Sequence, residues 1–242
     1  MTRTSMETGR MTLLAVHGIQ GTSAAWSSVA QACATQAHFI CPNLRGRGDA
    51  LRGQAPQDYR LEAFSGDLAQ IARQLDGPFI LAGWSMGVSV TLEYLRRNAG
   101  PQPCALILLS GTPRPGLAPW FSERGDRLLT EIAAREKRLK LAMAADHQAV
   151  AWTWEGLQDV DHSAALADIQ LPTLIIHGDA DPDSPLEHAR WLSEGIPNAE
   201  LHVIAGAGHS LLTENTAEVA QHIHAFIAKL HHAQERPLEP KT

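Results

Sequence analysis

A serine flanked by glycines is the feature of this chain that most directly suggests chemistry. Ser85 is the central residue of positions 83–87, Gly-Trp-Ser-Met-Gly, which follow an apolar run at 78–82 and precede a helical pattern at 88–95. Gly-x-Ser-x-Gly between a strand and a helix predicts a nucleophile elbow, a tight turn that presents the serine hydroxyl above the sheet edge. Both flanking residues are glycine because larger side chains would collide in such a turn. The same pattern also occurs by chance, so the hypothesis requires a base and an acid elsewhere.

Candidates for the base and the acid follow two later strand patterns. His209 lies just past the last strand pattern, in a Gly-rich setting that distinguishes it among 12 histidines. Asp181 lies four residues beyond another strand pattern, between Asp179 and Asp183. A serine hydroxyl needs a base that removes its proton, and the base needs a partner that holds its tautomer. Any of the three aspartates could be a turn residue, and the spacing from Gly178 favours Asp181.

Taken together, these motifs resemble those of the α/β-hydrolase fold family. The matching positions are His17-Gly18, 43–48 (Asn-Leu-Arg-Gly-Arg-Gly), the elbow at Ser85, Gly178-x-x-Asp181 and Gly208-His209. The resemblance implies a serine hydrolase similar to small carboxylesterases, in which Ser85 is the nucleophile, His209 the general base and then acid, and Asp181 the orienting carboxylate. It also implies that the backbone amides of Ile19 and Met86 hold the oxyanion.

The chain departs from the family pattern in two respects. Only about ten residues precede the first clear strand, whereas the family usually has two more strands there. We therefore expect about six core strands. Family members often carry Asp at the position of Asn43 and Ser at that of Asp49, and we interpret both positions as structural. We expect His17 to hold the oxyanion loop, and Arg45 and Arg47 to stabilise their own loop or to bind a substrate carboxylate.

The order of apolar runs and helical patterns predicts the elements that position these residues. Predicted strands lie at 11–16, 37–41, 78–82, 104–109, 171–177 and 201–205, and predicted helices at 24–34, 61–75, 88–95, 127–143, 147–157, near 164, 186–193 and 216–230. Near-continuous apolar strands alternating with helices indicate an α/β fold with a doubly wound, mostly parallel sheet. We expect a short helical cap at 112–168, inserted after the strand at 104–109. The core then comprises 1–111 and 169–233, and 234–242 is a flexible tail.

Composition narrows the class of partner and the compartment. The formal net charge of −6 argues against nucleic acid as the main partner. No apolar run approaches the length that spans a bilayer, and residues 1–10 lack the apolar core of a signal peptide. Three widely spaced cysteines, Cys33, Cys41 and Cys104, indicate reduced core residues. We therefore predict a cytoplasmic protein with a small-molecule substrate and no membrane span.

The sequence predicts neither a cofactor nor a metal site. Asp179, Asp181 and Asp183 alternate like part of a calcium loop, but Pro182 interrupts them and the glycine and distal glutamate of such a loop are missing. The sequence gives no prediction of oligomeric state.

The predicted reaction is hydrolysis of a small or medium carboxylic ester through an acyl-enzyme. Aromatic residues are the candidates for an apolar pocket wall: Trp84, Trp120, Phe121, Trp152 and Trp154. Each of them could instead pack the cap onto the sheet. Hydrolysis of a carbon–carbon bond, a lactone or a thioester by the same triad remains open, as does a slow-turnover ligand receptor on the same fold. The Gly-Trp-Ser-x-Gly elbow is similar to that of small bacterial carboxylesterases, including those that hydrolyse pimeloyl methyl esters.

Overall fold

A six-stranded parallel sheet forms the centre of the protein. We describe residues 10–141 and 143–235 of a computed structural model. The strands are β1 Met11–Val16, β2 Ala37–Ile40, β3 Phe79–Trp84, β4 Ala105–Leu109, β5 Thr173–Gly178 and β6 Ala199–Ile204. Their order across the sheet is β2-β1-β3-β4-β5-β6, and every neighbouring pair is parallel. The predicted fold class and the number of strands are confirmed.

Helices cover both faces of this sheet. They are α1 Ser27–Ala32, α2 Leu61–Ala72, α3 Met86–Arg96, α4 Asp126–Leu139, α5 His147–Leu157, α6 Leu186–Gly195, α7 Leu211–Glu214 and α8 Thr216–Glu235. Short 3₁₀ helices lie at Ser23–Trp26, Pro56–Tyr59, Pro115–Leu117 and Ser163–Asp168. None of the helices within 10–141 and 143–235 is long and apolar enough to cross a bilayer.

Two hydrophobic cores lie on opposite faces of the sheet. In β3, Leu81 belongs to the core that includes residues of α2, α3 and α6, and its neighbour Ile80 belongs to the core that includes residues of α1, α7 and α8. Alternate side chains of a strand point to opposite faces, so a strand buried on both faces must be apolar throughout. This requirement explains why β3 and β4 are fully buried apolar runs, and why the middle of the buried strand β5, 174–176, is apolar.

The chain order of the strands reverses between β1 and β3. From β1 the chain moves to β2 on one side and then to β3 on the other. In open α/β sheets, ligands bind in the crevice beyond the carboxyl ends of the strands at such a reversal. Ile19 follows β1 and Ser85 follows β3, so the topology brings the predicted oxyanion loop and nucleophile to this crevice.

Some predicted boundaries differ from the observed ones. Strand β6 begins at Ala199 and not at 201, because it is the edge strand, half-buried, and its first residues lack an apolar pattern. Helix α4 ends at Leu139 and not at 143, because Lys140 adopts a left-handed conformation with φ of 50°. The predicted helix at 24–34 is a 3₁₀ turn followed by α1.

The described part of 112–168 is helical, with α4, α5 and two 3₁₀ helices and no strand among those residues. The division of the chain into a core and a cap stays a prediction. Helix α8 includes residues 234 and 235 of the predicted tail, and 236–242 lie outside the described residues.

Candidate active site

The turn between β3 and α3 forces Ser85 into a strained backbone conformation. Its φ is 57° and its ψ is −121°, a region that side chains rarely adopt. A Cβ on Gly87 would lie 2.3 Å from the Val16 carbonyl oxygen, and one on Gly83 would lie 2.5 Å from the Gly87 backbone. Both positions therefore require glycine. The turn matches the elbow that the sequence predicts.

Ser85, His209 and Asp181 meet at the carboxyl ends of β3, β6 and β5. The Ser85 Oγ lies 2.9 Å from the His209 Nε2. On the other side of the ring, the His209 Nδ1 lies 2.9 Å from the Asp181 Oδ2 and 3.1 Å from the Oδ1. All three residues are buried, and Ser85 is only 2% exposed. The chain separates Ser85 from His209 by 124 residues, so the fold alone creates this contact.

These distances determine where the protons lie when the imidazole is neutral. A carboxylate only accepts hydrogen bonds, so the His209 Nδ1 carries the proton and donates it to Asp181. The Nε2 then has a lone pair and accepts the hydroxyl proton of Ser85. This is the arrangement in which an imidazole removes a proton from serine.

Backbone amides hold the Asp181 carboxylate in place. Its Oδ1 accepts hydrogen bonds from the amides of Asp183 and Ser184, both at 2.9 Å. His177, at the end of β5, donates from Nε2 to the Ser184 carbonyl at 2.6 Å and lies 3.7 Å from the Asp181 Oδ2. Burial lowers the pKa of His177, although the bond to Ser184 opposes this. A neutral His177 leaves the negative charge of Asp181 facing His209.

The other two aspartates of this loop have different partners. The Asp179 Oδ1 accepts a hydrogen bond from the Gly206 amide at 2.6 Å. Asp183 is buried and pairs with Arg135 and Arg138. The structure therefore brings only Asp181, of the three candidates, to the histidine.

The loop after β1 lies directly against Ser85. A Cβ on Gly18 would lie 3.1 Å from the Ser85 Cβ, so only glycine allows this approach without a shift. The His17 Nδ1 donates to the Gly18 carbonyl at 2.8 Å, and its Nε2 accepts from the Leu44 amide at 3.0 Å. Burial lowers the pKa of His17 to about 3, so the ring is neutral, as this bonding requires. His17 occupies the loop-holding position that the sequence predicts.

The loop at 43–49 supports its neighbours through polar side chains. Arg45 pairs with Asp67 through two hydrogen bonds of 2.7 and 2.6 Å. The Asn43 amide donates to Asp49 at 2.7 Å, so the two residues that depart from the family pattern contact each other. Both observations agree with structural roles.

The predicted oxyanion amides belong to Ile19, in the loop after β1, and Met86, the first residue of α3. The first four amides of a helix have no partner within it, and they carry a partial positive charge that favours an anion. An oxygen atom attached to a carbon bound at Ser85 Oγ would lie next to this helix terminus.

The predicted pocket aromatics fall into two groups. Trp84 contacts the triad: its Nε1 donates to the His209 carbonyl at 3.1 Å, and the two rings lie 5.4 Å apart. Trp120 and Phe121 pack against Trp154, with their ring centres 5.7 and 5.6 Å from that of Trp154. Trp152 packs against Tyr59 at 5.5 Å. Contact of any of these five aromatics with a substrate stays a prediction.

A groove of about 390 Å³ lies beside the triad. Trp84 and Ser210, the chain neighbours of Ser85 and His209, form part of its wall. The remaining lining residues are Gly21, Thr22, Ala24, Ala25, Arg138, Leu139, Lys140, Leu141, Met143, Leu212, Thr213 and Glu214. Of the predicted aromatics, only Trp84 belongs to this wall.

Comparison with known proteins identifies the family. The profile of the alpha/beta hydrolase family matches residues 13–222. The chain belongs to this family. An AB hydrolase superfamily protein of Bacillus subtilis, YisY, is 30% identical over 216 residues, covering 78% of this chain and 80% of that protein. The pimeloyl-acyl-carrier-protein methyl ester esterase of Aromatoleum aromaticum is 28% identical over 241 residues, covering 83% of this chain and 92% of that protein.

Solved structures of esterases share the fold. An esterase from Thermogutta terrifontis superposes with a TM-score of 0.76 at 24% identity, covering 91% of this chain and 90% of that one. The esterase EaEST of Exiguobacterium antarcticum gives a TM-score of 0.76 at 21% identity, covering 90% and 92%. At this level of identity, the likeness concerns the fold only.

Two buried polar residues next to the site were missed by sequence reasoning. His177 precedes the Gly178-x-x-Asp181 motif, and its position at the end of a strand could have suggested it. Gln20 follows Ile19, and nothing in its sequence context distinguishes it.

Proposed function

We propose that this alpha/beta hydrolase cleaves carboxylic esters by an acyl-enzyme mechanism, with Ser85, His209 and Asp181 as the catalytic triad. The observation that carries the proposal is the continuous pair of contacts from Ser85 Oγ to His209 and from His209 to Asp181, each at 2.9 Å. Serine activated by a histidine that a carboxylate orients is the arrangement of acyl-transfer hydrolases on several folds.

In the first step, Ser85 Oγ attacks the ester carbonyl carbon as its proton passes to His209 Nε2. The carbonyl oxygen becomes an oxyanion, which accepts hydrogen bonds from the amides of Ile19 and Met86. One such donor is commonly worth about 3 kcal/mol of transition-state stabilisation. Asp181 stabilises the imidazolium, which then donates its proton to the departing alcohol.

In the second step, a water molecule attacks the acyl-serine. His209 Nε2 takes a proton from this water and returns it to Ser85 Oγ as the carboxylic acid leaves. The same two amides stabilise the second oxyanion. The cycle restores the neutral histidine and the free hydroxyl.

The groove beside Trp84 is the proposed site for the acyl or alkoxy group of the substrate. Its volume of about 390 Å³ is at the small end of ligand sites, which favours a small or medium ester. Its wall combines apolar residues such as Met143 and Leu212 with the charged residues Arg138 and Lys140.

The experiment compares Ser85→Ala with Ser89→Ala on a series of aryl esters of increasing acyl length. Ser89 is a buried serine of α3 whose hydroxyl has no partner within the described residues, so it is a matched control. We expect Ser85→Ala to lower kcat by at least about 10⁴-fold and Ser89→Ala to change it little. Retention of turnover by Ser85→Ala would refute the proposal.

Covalent labelling of Ser85 by a fluorophosphonate, detected by intact mass, separates the alternatives. Labelling with fast turnover supports the esterase. Labelling with no ester turnover contradicts it and leaves another bond class with the same triad, or a ligand receptor; lactone, thioester and carbon–carbon substrates distinguish these.

A further inference from the structure

Gln20, the residue after Ile19, is bound to helix α4 and to Ala145, which follows that helix, through three polar groups. Its backbone carbonyl accepts a hydrogen bond from the Ala145 amide at 3.0 Å. Its side-chain Nε2 donates to the Ile132 carbonyl at 2.8 Å. Its Oε1 accepts from the Arg135 Nη1 at 2.8 Å. Gln20 is only 2% exposed, so these partners replace the water that its amide would otherwise bind.

Arg135 connects this loop to the loop of the triad acid. Its second terminal nitrogen, Nη2, donates to the Asp183 Oδ2 at 2.9 Å, and both side chains are nearly fully buried. The Asp183 backbone amide in turn donates to the Asp181 Oδ1. One guanidinium of α4 therefore contacts the residue next to Ile19 and the residue two positions from Asp181.

The charges of this cluster favour a fixed geometry. Burial acts to raise the pKa of Asp183, but Arg135 and Arg138 outweigh it and lower the pKa, so the carboxylate stays ionised. A planar guanidinium holds its partners in fixed directions, and removing one member of a buried ion pair leaves an uncompensated charge. The Arg135 guanidinium also lies 5.4 Å from the centre of the Phe121 ring, which limits its movement.

We propose that Gln20 and Arg135 are positioning residues of the proposed reaction, through which helix α4 holds the oxyanion loop and the acid loop in register. This inference rests on the proposed function. Neither side chain needs to touch the substrate. A displacement of about 1 Å of a catalytic group can cost about 100-fold in rate. The contacts of Gln20 and Arg135 that hold the two loops should therefore affect kcat more than KM.

The test measures kcat and KM of Gln20→Leu, Arg135→Met and the double variant on a soluble aryl ester. Assays run well below the melting temperature of each variant. We expect each single variant to lower kcat about 10- to 100-fold and to change KM less than about threefold. Because Gln20 and Arg135 bind each other, we expect the double variant to lose less rate than the product of the two single losses.

Two conservative variants and one control sharpen the test. Arg135→Lys keeps a charge beside Asp183, and Gln20→Glu keeps the size of the side chain and its contact with Arg135. We expect both to recover part of the lost rate. Glu131→Gln is the matched control, since Glu131 lies in the same helix but binds Ser122 and Glu123. We expect it to lower the melting temperature without changing kcat more than about threefold.

Three results would overturn the inference: an unchanged kcat in Gln20→Leu and Arg135→Met, losses that multiply in the double variant, or an equal loss in Glu131→Gln. The labelling rate of Ser85 by a fluorophosphonate serves as a second readout. If the wild-type protein hydrolyses no ester but labels at Ser85, the proposed ester reaction fails. The comparison of labelling rates among the variants still decides whether Gln20 and Arg135 position the site.

Discussion

The guanidinium of Arg47 donates two hydrogen bonds to the carbonyl oxygen of Ile19, from Nε at 3.2 Å and from Nη2 at 2.8 Å. Arg47 is only 1% exposed, and its remaining bonds go to the Arg45 carbonyl and the Thr153 hydroxyl. Burial lowers its pKa to about 10, so it stays charged at neutral pH. The proposed oxyanion residue is thus held from its carbonyl side by a buried cation whose hydrogen bonds go to uncharged oxygens.

We expect Arg47→Met to lower both stability and kcat. The change leaves the buried Ile19 carbonyl without its two donors, which costs about 1–3 kcal/mol of unfolding free energy. It also frees the loop that carries a proposed oxyanion amide. Urea denaturation and steady-state kinetics measure the two effects. Arg45→Met, which removes a half-buried pair with Asp67, serves as the comparison. An unchanged kcat in Arg47→Met would show that the oxyanion loop holds its geometry unaided.

Asp181→Asn tests the orienting role of the acid. An amide at this position can donate to His209 Nδ1, which favours the tautomer with a proton on Nε2. That tautomer cannot accept the Ser85 proton, so we expect kcat to fall by about 10⁴-fold with the fold retained. Asp179→Asn is the matched control, because Asp179 binds the Gly206 amide outside the triad. A similar loss in both variants would contradict the assignment.

Gly87→Ala should destabilise the protein by a few kcal/mol. The added methyl would lie 2.3 Å from the Val16 carbonyl oxygen, and this backbone contact cannot relax without moving β1 or α3. Gly66→Ala is the opposite case. Within the described residues, and apart from its two neighbours and the backbone of α2, no atom lies within 4 Å of its Cβ position, so alanine should stabilise the helix by up to about 1 kcal/mol. Thermal unfolding of the two variants and the wild type measures the predicted decrease in stability of Gly87→Ala and the predicted increase in Gly66→Ala. A stable Gly87→Ala would mean that the elbow tolerates a shift of the strand.

Buried histidines should make the protein less stable as the pH falls below about 6.5. The pKa of His17 is about 3 in the folded protein, against about 6.5 in the unfolded chain. The unfolded chain therefore binds more protons between these values, and stability decreases as pH falls through this window. For His17 alone, the loss from pH 7 to pH 5 is about 2 kcal/mol. Burial also lowers the pKa of His162, His177 and His188, which adds to the effect.

Urea unfolding from pH 7 to pH 5 measures this dependence. His17→Gln is less stable in absolute terms, but its unfolding free energy should depend on pH by about one proton less than that of the wild type. An equal dependence in both proteins would assign the effect to the other histidines.

Local backbone demands made much of the triad predictable from the sequence. Ser85 lies between glycines that the elbow requires, Asp181 follows a strand whose apolar pattern is strong, and His209 lies in a Gly-rich loop after the last predicted strand. The central strands were predictable for the same reason, since burial on both faces leaves only apolar residues. The edge strand β6 is half-buried. The predicted start of β6, at 201, was therefore two residues later than the observed start at Ala199.

Contacts between residues far apart in the chain could not be predicted, because they produce no recognisable pattern in the sequence. Gln20 and Ile132 are separated by 112 residues, and a hydrogen bond between them imposes no periodicity on either segment. Composition likewise cannot distinguish an aromatic residue that lines a groove from one that packs in a core. Trp84 and Trp154 therefore carried the same prediction, although only Trp84 contacts His209.

The loop that carries His209 comes after β6, the last strand among the described residues and an edge of the sheet. A nascent or truncated chain that lacks the C-terminal strand and its loop holds a serine with no base to ionise it. The acyl transfer proposed for Ser85 therefore becomes possible only after the chain has been made past residue 209.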